Sequence, residues 1–430
     1  MSNASRRTFL AASAAFSLGR VLGANDKVNV GIVGIGGRGN DHITNYAALP
    51  GARIAALCDV NQAALEKGQA TVKKLTGEEP KGFSDMRRMF EDKSIDAVSI
   101  TTPNHWHALS TIWACEAGKD VYCEKPACYN PHEGERMIEV ARKTGRMVQI
   151  GSQSRSLAFK RKAIELLHQG VIGKVYLAKG ICFKRRPSIG HAEDGPVPAG
   201  VNWDMFLGPA PMRPFNPLRF KYNWHWFWDT GNGDIGNQGV HEVDIARWGL
   251  GNVMWPKSVV STGGKFLYTD DQETPNTQLA SFDYGDKELV FEVRGVLTGG
   301  EGGIPKVGGN YVGNLFYGAD GWMSVDSTGF KVYKGEKDDL VMDVKKDAGG
   351  DTGPHMTNFL AACRSRKASD LNAEVAIGVM SADLCHLANI SYRTGRKLTV
   401  DPAQGRFTGD GAAEGNALLT RSEYRKPYVV

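Results

Sequence analysis

The sequence predicts an α/β chain of two domains. The first is an N-terminal Rossmann-type, doubly wound parallel sheet. The second is a C-terminal α+β domain with a large open, mostly antiparallel sheet. Three observations predict this. A β-branched run, VNVGIVG at 28–34, opens directly into a glycine-rich turn and a helix. Strand-length apolar runs then alternate with helical stretches as far as residue 152, the rhythm of parallel βαβ units. From 257 to 335 the helices give way to short alternating runs, the pattern of antiparallel strands. A chain of 430 residues has room for two or three domains, and 41% hydrophobic with 23% charged residues is ordinary globular composition.

The first 24 residues are set apart from the fold. Ser5-Arg6-Arg7-Thr8-Phe9-Leu10 has the twin-arginine export pattern, and the apolar run behind it is too short and too polar to span a bilayer. Cleavage is expected near Gly23 or Ala24, with a periplasmic or otherwise exported destination. No Cys follows the run, so a lipid anchor is not expected. Seven cysteines, none at zinc-ligand spacing, suit a protein exported already folded, because unfolded secretion would risk mispaired thiols. The net charge is +5, but the longest basic run is Lys184-Arg185-Arg186, read as a solvated turn. Nucleic acid is therefore not an expected partner.

Residues 25–152 form the nucleotide-binding domain. After the first strand comes Gly34-Ile35-Gly36-Gly37-Arg38-Gly39, then a helix from about Asn40. Gly34 permits the tight turn, Gly36 lets backbone approach a pyrophosphate, and Gly39 allows close helix–strand packing. The strand ARIAALC at 52–58 ends in Asp59, 20 residues after Gly39, where this fold places its ribose-binding carboxylate. A carboxylate accepts from a ribose 2′-hydroxyl and repels a 2′-phosphate, so NAD is favoured over NADP, although Arg38 is able to pair with a phosphate. Strands follow at 95–102 and 119–126, with helices over about 107–117 and 131–145. RMVQIGS at 146–152 is counted as the sixth strand. Two polar clusters stand at carboxyl ends of strands, where such folds bind ligands: Thr102-Pro103-Asn104-His105-Trp106-His107 and Glu124-Lys125-Pro126.

Residues 153–400 form the second domain and 401–430 a C-terminal extension. A helix at 157–170 and a strand at 174–184 precede Pro/Gly loops. GGEGGIPKVGGN at 299–310 reads as a mobile loop able to cover a site. Helices at 354–367 and 374–395 close the domain. Earlier in the domain lies NWHWFWDTGNGDIGNQGVHEVDIARW, 223–248, which crowds aromatics, glycines and titratable groups as a ligand pocket does. On a helix from Asp234 onward, Asp234, Asn237, His241 and Asp244 share one face. Trp224, Trp226 and Trp228 alternate and would share one side of an extended segment, as a sugar platform or equally as core or interface. His105, His107, His225 and His241 show no HxxxH or CxxC spacing, so no metal is expected.

GIVGIGGRG at 31–39, TPNHWHA at 102–108, GKDVYCEKP at 118–126 and GNQGVHEVDIARW at 236–248 resemble the Gfo/Idh/MocA oxidoreductase family over about residues 27–400. The resemblance implies a Rossmann domain followed by an open-sheet domain, and hydride exchange between a nicotinamide and a sugar or cyclitol hydroxyl. It makes Lys125 the catalytic lysine and His241 the acid/base histidine. Where many of these dehydrogenases carry an aspartate, this chain has Asn237, which cannot take a proton but can orient His241 or bind a hydroxyl. Two further readings stay open: a hydrolase or lyase that oxidises its sugar only transiently, and a non-enzymatic nucleotide-binding protein. Tightly bound cofactor and a homo-oligomer, a dimer or tetramer paired through the open sheet, are expected.

Overall fold

The computed structural model describes residues 27–430; the twin-arginine segment lies outside the described residues. The first domain runs β1 (Val28–Val33), α1 (Arg38–Ala47), β2 (Ala52–Cys58), α2 (Gln62–Thr76), β3 (Lys81–Phe83), α3 (Met86–Glu91), β4 (Ala97–Ile100), α4 (His107–Glu116), β5 (Asp120–Cys123), α5 (Pro131–Thr144) and β6 (Val148–Ile150). Its six strands are parallel in the order β3-β2-β1-β4-β5-β6, the doubly wound arrangement with its crevice beside β1 and β4. The strand between Asp59 and residue 95, counted but not located from sequence, is β3, only three residues long. Strands β4, β5 and β6 are buried at every position, which is why they read as continuous apolar runs. Helix α5 starts where the Asn130 side chain accepts from the Glu133 amide and ends at Gly145 in the left-handed conformation (φ 63°).

The second domain contains α6 (Ala158–His168), β7 (Val175–Phe183), α7 (Trp203–Leu207), α8 (Val240–Gly249), β8 (Ser258–Gly264), β9 (Thr277–Asp283), β10 (Glu288–Arg294), β11 (Tyr311–Gly318), β12 (Gly321–Asp326), β13 (Gly329–Lys334), β14 (Asp339–Lys345), α9 (Thr352–Ser365), α10 (Val375–Thr394), β15 (Leu398–Asp401), β16 (Arg406–Thr408) and α11 (Ala412–Ala417). Its ten strands lie in the order β14-β13-β12-β11-β7-β10-β9-β8-β15-β16, antiparallel apart from the β7–β10 pair. One face buries Ala178, Cys182, Phe291 and Phe316 in a shared core with Val240 and Val243 of α8 and Leu384 and Leu387 of α10. The glycine-rich segment 299–310 lies on the other face, where Ile304 packs on Ile181, Phe183 and Leu315. It therefore covers part of the open sheet and not the site, contrary to the sequence expectation; the apolar Ile304 is what holds it there.

The two domains interlock. Helix α9 returns to the Rossmann sheet, placing Met356, Phe359 and Leu360 in one core with Val28, Val30 and Ile32. The 401–430 extension runs back over the first domain. There the His132 amide donates to the Leu419 carbonyl at 3.1 Å, and the Tyr428 ring meets Trp106 edge-on at 5.4 Å. All seven cysteines are buried and free. Among the described residues no helix is long and apolar enough to cross a membrane.

Candidate active site

The glycine turn after β1 is built by steric exclusion. Gly34 has φ 90°, and a Cβ there would lie 2.8 Å from the Thr102 amide nitrogen; one on Gly39 would lie 2.1 Å from the Gly34 carbonyl oxygen. A Cβ on Gly36 or Gly37 would meet nothing within 4 Å, so that side of the turn is open to a ligand. Gly37 caps α1, whose first amides face the same space. Asp59 accepts from the Ile35 amide (2.5 Å) and the Asn61 amide (2.8 Å), which pins the turn to the end of β2. Each carboxylate oxygen retains a lone pair for a ribose hydroxyl. Asp59 borders a cavity of about 530 Å³ whose other walls include Ser84, Val197 and Trp203. The turn and Asp59 thus fit the phosphates and ribose of a dinucleotide.

Glu124 lies at the end of β5 and is buried. Its Oε1 accepts from Arg38 Nε (3.0 Å) and His42 Nε2 (2.8 Å), and Ser99 Oγ contacts the other His42 nitrogen at 2.7 Å. Against the cost of burial, the Arg38 guanidinium and His42 hold the Glu124 carboxyl well below its usual range. Arg38 is thereby turned toward Glu124, with Nη2 also donating to Thr352 Oγ1 at 3.1 Å. Next in the chain, Lys125 donates from Nζ to the Asn237 carbonyl (2.9 Å) and Asn237 Oδ1 (3.3 Å). Burial draws the Lys125 pKa below the usual lysine value.

Asn237 lies in a π-helical turn, Ile235–Gly239, that runs into α8. Such turns widen a helix locally and frequently accompany functional sites. The turn fits here because Gly236 and Gly239 pack where a Cβ would strike Asn232 at 2.5 Å and Phe291 at 2.4 Å. Asn237 Nδ2 donates to the Tyr222 hydroxyl at 3.2 Å. The amide therefore holds Lys125 on one side and Tyr222 on the other, and does not orient His241. His241 is half-buried and makes no hydrogen bond among the described residues. Burial and the Lys125 charge lower its pKa to about 3, so its imidazole is neutral, with ring nitrogens unengaged. His225 stacks on Trp224 at 3.5 Å and donates from Nδ1 to the Tyr222 carbonyl at 2.6 Å.

Of the other expected site residues, Asp234 borders the site, accepting from Asn237 Nδ2 at 3.4 Å, and Asp244 lies outside it. Asp234 is buried against Arg186, which donates from Nε (2.9 Å) and Nη2 (2.7 Å). Asp244 is buried against Arg155, at 2.7 and 2.9 Å, and takes a third hydrogen bond from Ser381 Oγ. The single face expected of Asp234, Asn237, His241 and Asp244 is broken between Asn237 and His241, where the π turn changes the helical phase: Asp234 stays hydrogen-bonded to Asn237, while Asp244 is turned to Arg155. Trp224, Trp226 and Trp228 do not share a side either, since Asn223–Trp226 is a 3-10 turn and not an extended run. Trp224 packs on the Trp203–Phe206–Phe215 cluster, Trp226 is buried beneath Arg186, and Trp228 faces Arg393.

His107 is buried between the Pro126 and Thr102 carbonyls, at 2.6 and 2.9 Å, and fastens the two ligand-facing loops to each other. Half-buried Pro103 leads into the 3-10 turn Asn104–Trp106. Asn104 Nδ2 donates to Asn232 Oδ1 at 2.6 Å, while Asn104 Oδ1 and Thr102 Oγ1 are buried without a partner. Those orphaned atoms are what a bound nicotinamide's amide or ribose would satisfy.

Sequence reasoning missed Lys184 and Arg186. Their basic run is not a solvated turn: only Arg185 is exposed, and the two flanking cations are half-buried. The alternation of the β7 strand, carried three residues past its end, was the available signal. It also missed a buried cluster behind the Lys125 strap, where Cys128 Sγ lies 3.7 Å from His386 Nε2 and 3.9 Å from Asp383 Oδ1.

A glycine turn on a doubly wound sheet, with a carboxylate at the end of β2, marks an NAD-binding oxidoreductase. The chain belongs to the Gfo/Idh/MocA oxidoreductase family. Residues 28–152 match that family's NAD-binding Rossmann fold, and 139–261 with 321–430 match its C-terminal alpha/beta domain. An inositol 2-dehydrogenase of Salmonella paratyphi B is 34% identical over 159 residues, 36% of this chain and 45% of that protein. A glycosyl hydrolase family 109 protein of a Shewanella species is 26% identical over 162 residues, 37% of this chain and 35% of that protein. The matched stretch thus spans less than half of either relative. The WlbA dehydrogenase of Bordetella pertussis, solved with NADH and UDP-GlcNAcA, shares the fold with a TM-score of 0.64 at 20% identity, covering 87% of this chain and 99% of that one.

Proposed function

We propose that the protein is an exported, NAD-dependent oxidoreductase that oxidises a hydroxyl of a sugar or sugar derivative. The observation that carries the reading is Lys125, held by the Asn237 carbonyl at 2.9 Å and near enough to His241 to lower its pKa, next in the chain to the Glu124 that Arg38 of the glycine turn engages. Bound nicotinamide supplies the hydride acceptor. Lys125 and His241 form the acid/base pair that moves the hydroxyl proton. The Lys125 ammonium, held by the Asn237 carbonyl, stabilises the alkoxide that develops. A non-enzymatic nucleotide binder has no use for such a pair. The partial likeness to a glycosyl hydrolase family 109 protein favours one second reading: transient oxidation followed by elimination or hydrolysis.

The deciding experiment incubates purified protein with a panel of sugars and glycosides while following cofactor absorbance and products together. Net cofactor reduction supports the dehydrogenase. Cleavage without net reduction supports the second reading. Neither outcome with any compound would overturn both.

Export rests on the twin-arginine pattern at Arg6 and Arg7. Replacing both with Lys should leave the protein in the cytoplasm, and unchanged export of that variant would refute it. A homo-oligomer is supported by the outer sheet face, where Leu279 is 46% exposed and Trp322 stacks on Tyr333.

A further inference from the structure

Three cations converge beside the reacting groups. Lys184 directly follows β7, and its Nζ lies 3.4 Å from Gln238 Oε1, a neutral acceptor. Among the described residues neither Lys184 nor Lys125 pairs with a carboxylate. They are close enough that the Lys184 charge contributes to lowering the Lys125 pKa. Arg186 completes the group, its Nη1 donating to the Tyr222 hydroxyl at 3.1 Å.

The nearby carboxylates do not cancel this charge. Asp234 is matched by the Arg186 fork. Glu124 is matched by Arg38 and His42. Glu242 stands behind Gln238, whose Nε2 donates to it at 3.4 Å, and burial pushes its carboxyl up toward the neutral form. The two imidazoles on the cleft, His225 and His241, are held neutral by burial. Two ammonium groups in a half-buried cleft, whose nearest carboxylates Glu124 and Asp234 are each already held by a guanidinium, repel each other, and an anion between them reduces that repulsion. The cofactor's phosphates have their own donors in the α1 amides at the glycine turn. The Tyr222 hydroxyl adds a donor: it accepts from Arg186 and Asn237, so its own O–H remains free for a ligand.

We propose that the sugar derivative taken by this site carries an anionic group, a carboxylate, sulfate or phosphate, received by Lys184 and the Tyr222 hydroxyl with Arg186 behind them. The inference rests on the sugar-oxidation reading and deepens it. Arg186 is a positioning residue in this scheme: engaged by Asp234, it sets the Tyr222 hydroxyl, whereas Lys184 meets the anion directly.

The test compares cofactor reduction by a neutral hexose with that by its uronate, its sulfate ester and its phosphate ester. At least one anionic arm should exceed the neutral sugar in kcat/KM by about tenfold or more, the worth of a charge-assisted hydrogen bond. The arm that wins identifies the anion. In Lys184→Met, purified with the same cofactor content as the parent, the anionic-to-neutral ratio should fall by about tenfold, while Lys184→Arg should retain it. A neutral sugar as good as every anionic partner, or a ratio that Lys184→Met does not move, overturns the anion proposal and leaves sugar oxidation standing. Reduction by none of the compounds overturns both.

Discussion

At the scale of single residues, Lys125 and His241 separate by charge. Lys125 is held by the Asn237 carbonyl and is charged below its lowered pKa, while His241 is neutral and unpartnered. Lys125→Met should therefore retain NAD binding and lose about 10²-fold or more in kcat, and His241→Ala should do likewise. Single-turnover kinetics with a cofactor titration check both, and near-parental turnover in either would remove it from the chemistry. Because burial lowers the Lys125 pKa, its charged form is lost as pH rises through that lowered value. The alkaline limb of kcat/KM should then fall below the usual lysine range and move upward in Lys125→Arg. Asp59 bears on the cofactor. Asp59→Ala removes the ribose acceptor and the repulsion of a 2′-phosphate, so the preference for NAD over NADP should narrow. Equal affinities of the parent for the two cofactors, measured by titration, would contradict that role.

At the scale of elements, the glycine turn offers a paired test of architecture against binding. Gly39→Ala drives a Cβ into the Gly34 carbonyl, 2.1 Å away, so the turn must shift. About 1–3 kcal/mol of stability should be lost along with NAD affinity. Gly36→Ala meets no protein atom within 4 Å and should leave Tm unchanged while still weakening NAD binding. Calorimetry and cofactor titration on the two variants separate the effects, and a Gly36→Ala protein that binds NAD normally would take the pyrophosphate away from this turn.

The same elements explain what the sequence disclosed. The turn, Asp59 and the Glu124-Lys125 pair lie within a few residues of strands whose apolar runs are unmistakable, so local pattern located them. Asp244 falls outside the site because a helical-face argument assumes one period and Ile235–Gly239 departs from it, whereas Asp234 keeps its contact with Asn237. Trp224, Trp226 and Trp228 were misjudged because alternation means a shared side only in an extended chain. Lys184 and Arg186 continue beyond β7, where only the strand's alternation hints at them, and Tyr222 belongs to the cleft through tertiary docking of a loop, which leaves no periodic trace.

At the scale of the whole molecule, the segment between β7 and α7 crosses from the second domain to the cofactor end of the first. Val201 bridges to Asn61, the Gln62 amide donates to the Gly200 carbonyl at 2.9 Å, and the Asn202 amide donates to the Val60 carbonyl at 2.8 Å. These contacts stand over the cavity beside Asp59. The 401–430 extension binds the same region to the first domain through Arg425 and Tyr428, both on Asp204. A dinucleotide seated beneath such a clasp leaves only when the clasp opens, which slows its release. That bears on the proposed export. A twin-arginine substrate travels folded and would load its cofactor in the cytoplasm, whereas outside there is no NAD pool to exchange with. An enzyme that released NADH there would turn over once and stop. The cofactor must then stay bound and be restored in each cycle, either by a second substrate or by return of the hydride to the same sugar. Protein purified from the periplasm should accordingly carry nicotinamide without any being added, found by denaturing it and assaying the supernatant. Weakening the clasp with Asn202→Pro, which deletes the amide donor to Val60, should raise the rate of cofactor loss on dilution. Protein that emerges empty and needs millimolar added NAD would show that the cofactor is exchangeable, and would bring the reading of Arg6 and Arg7 as an export signal down with it.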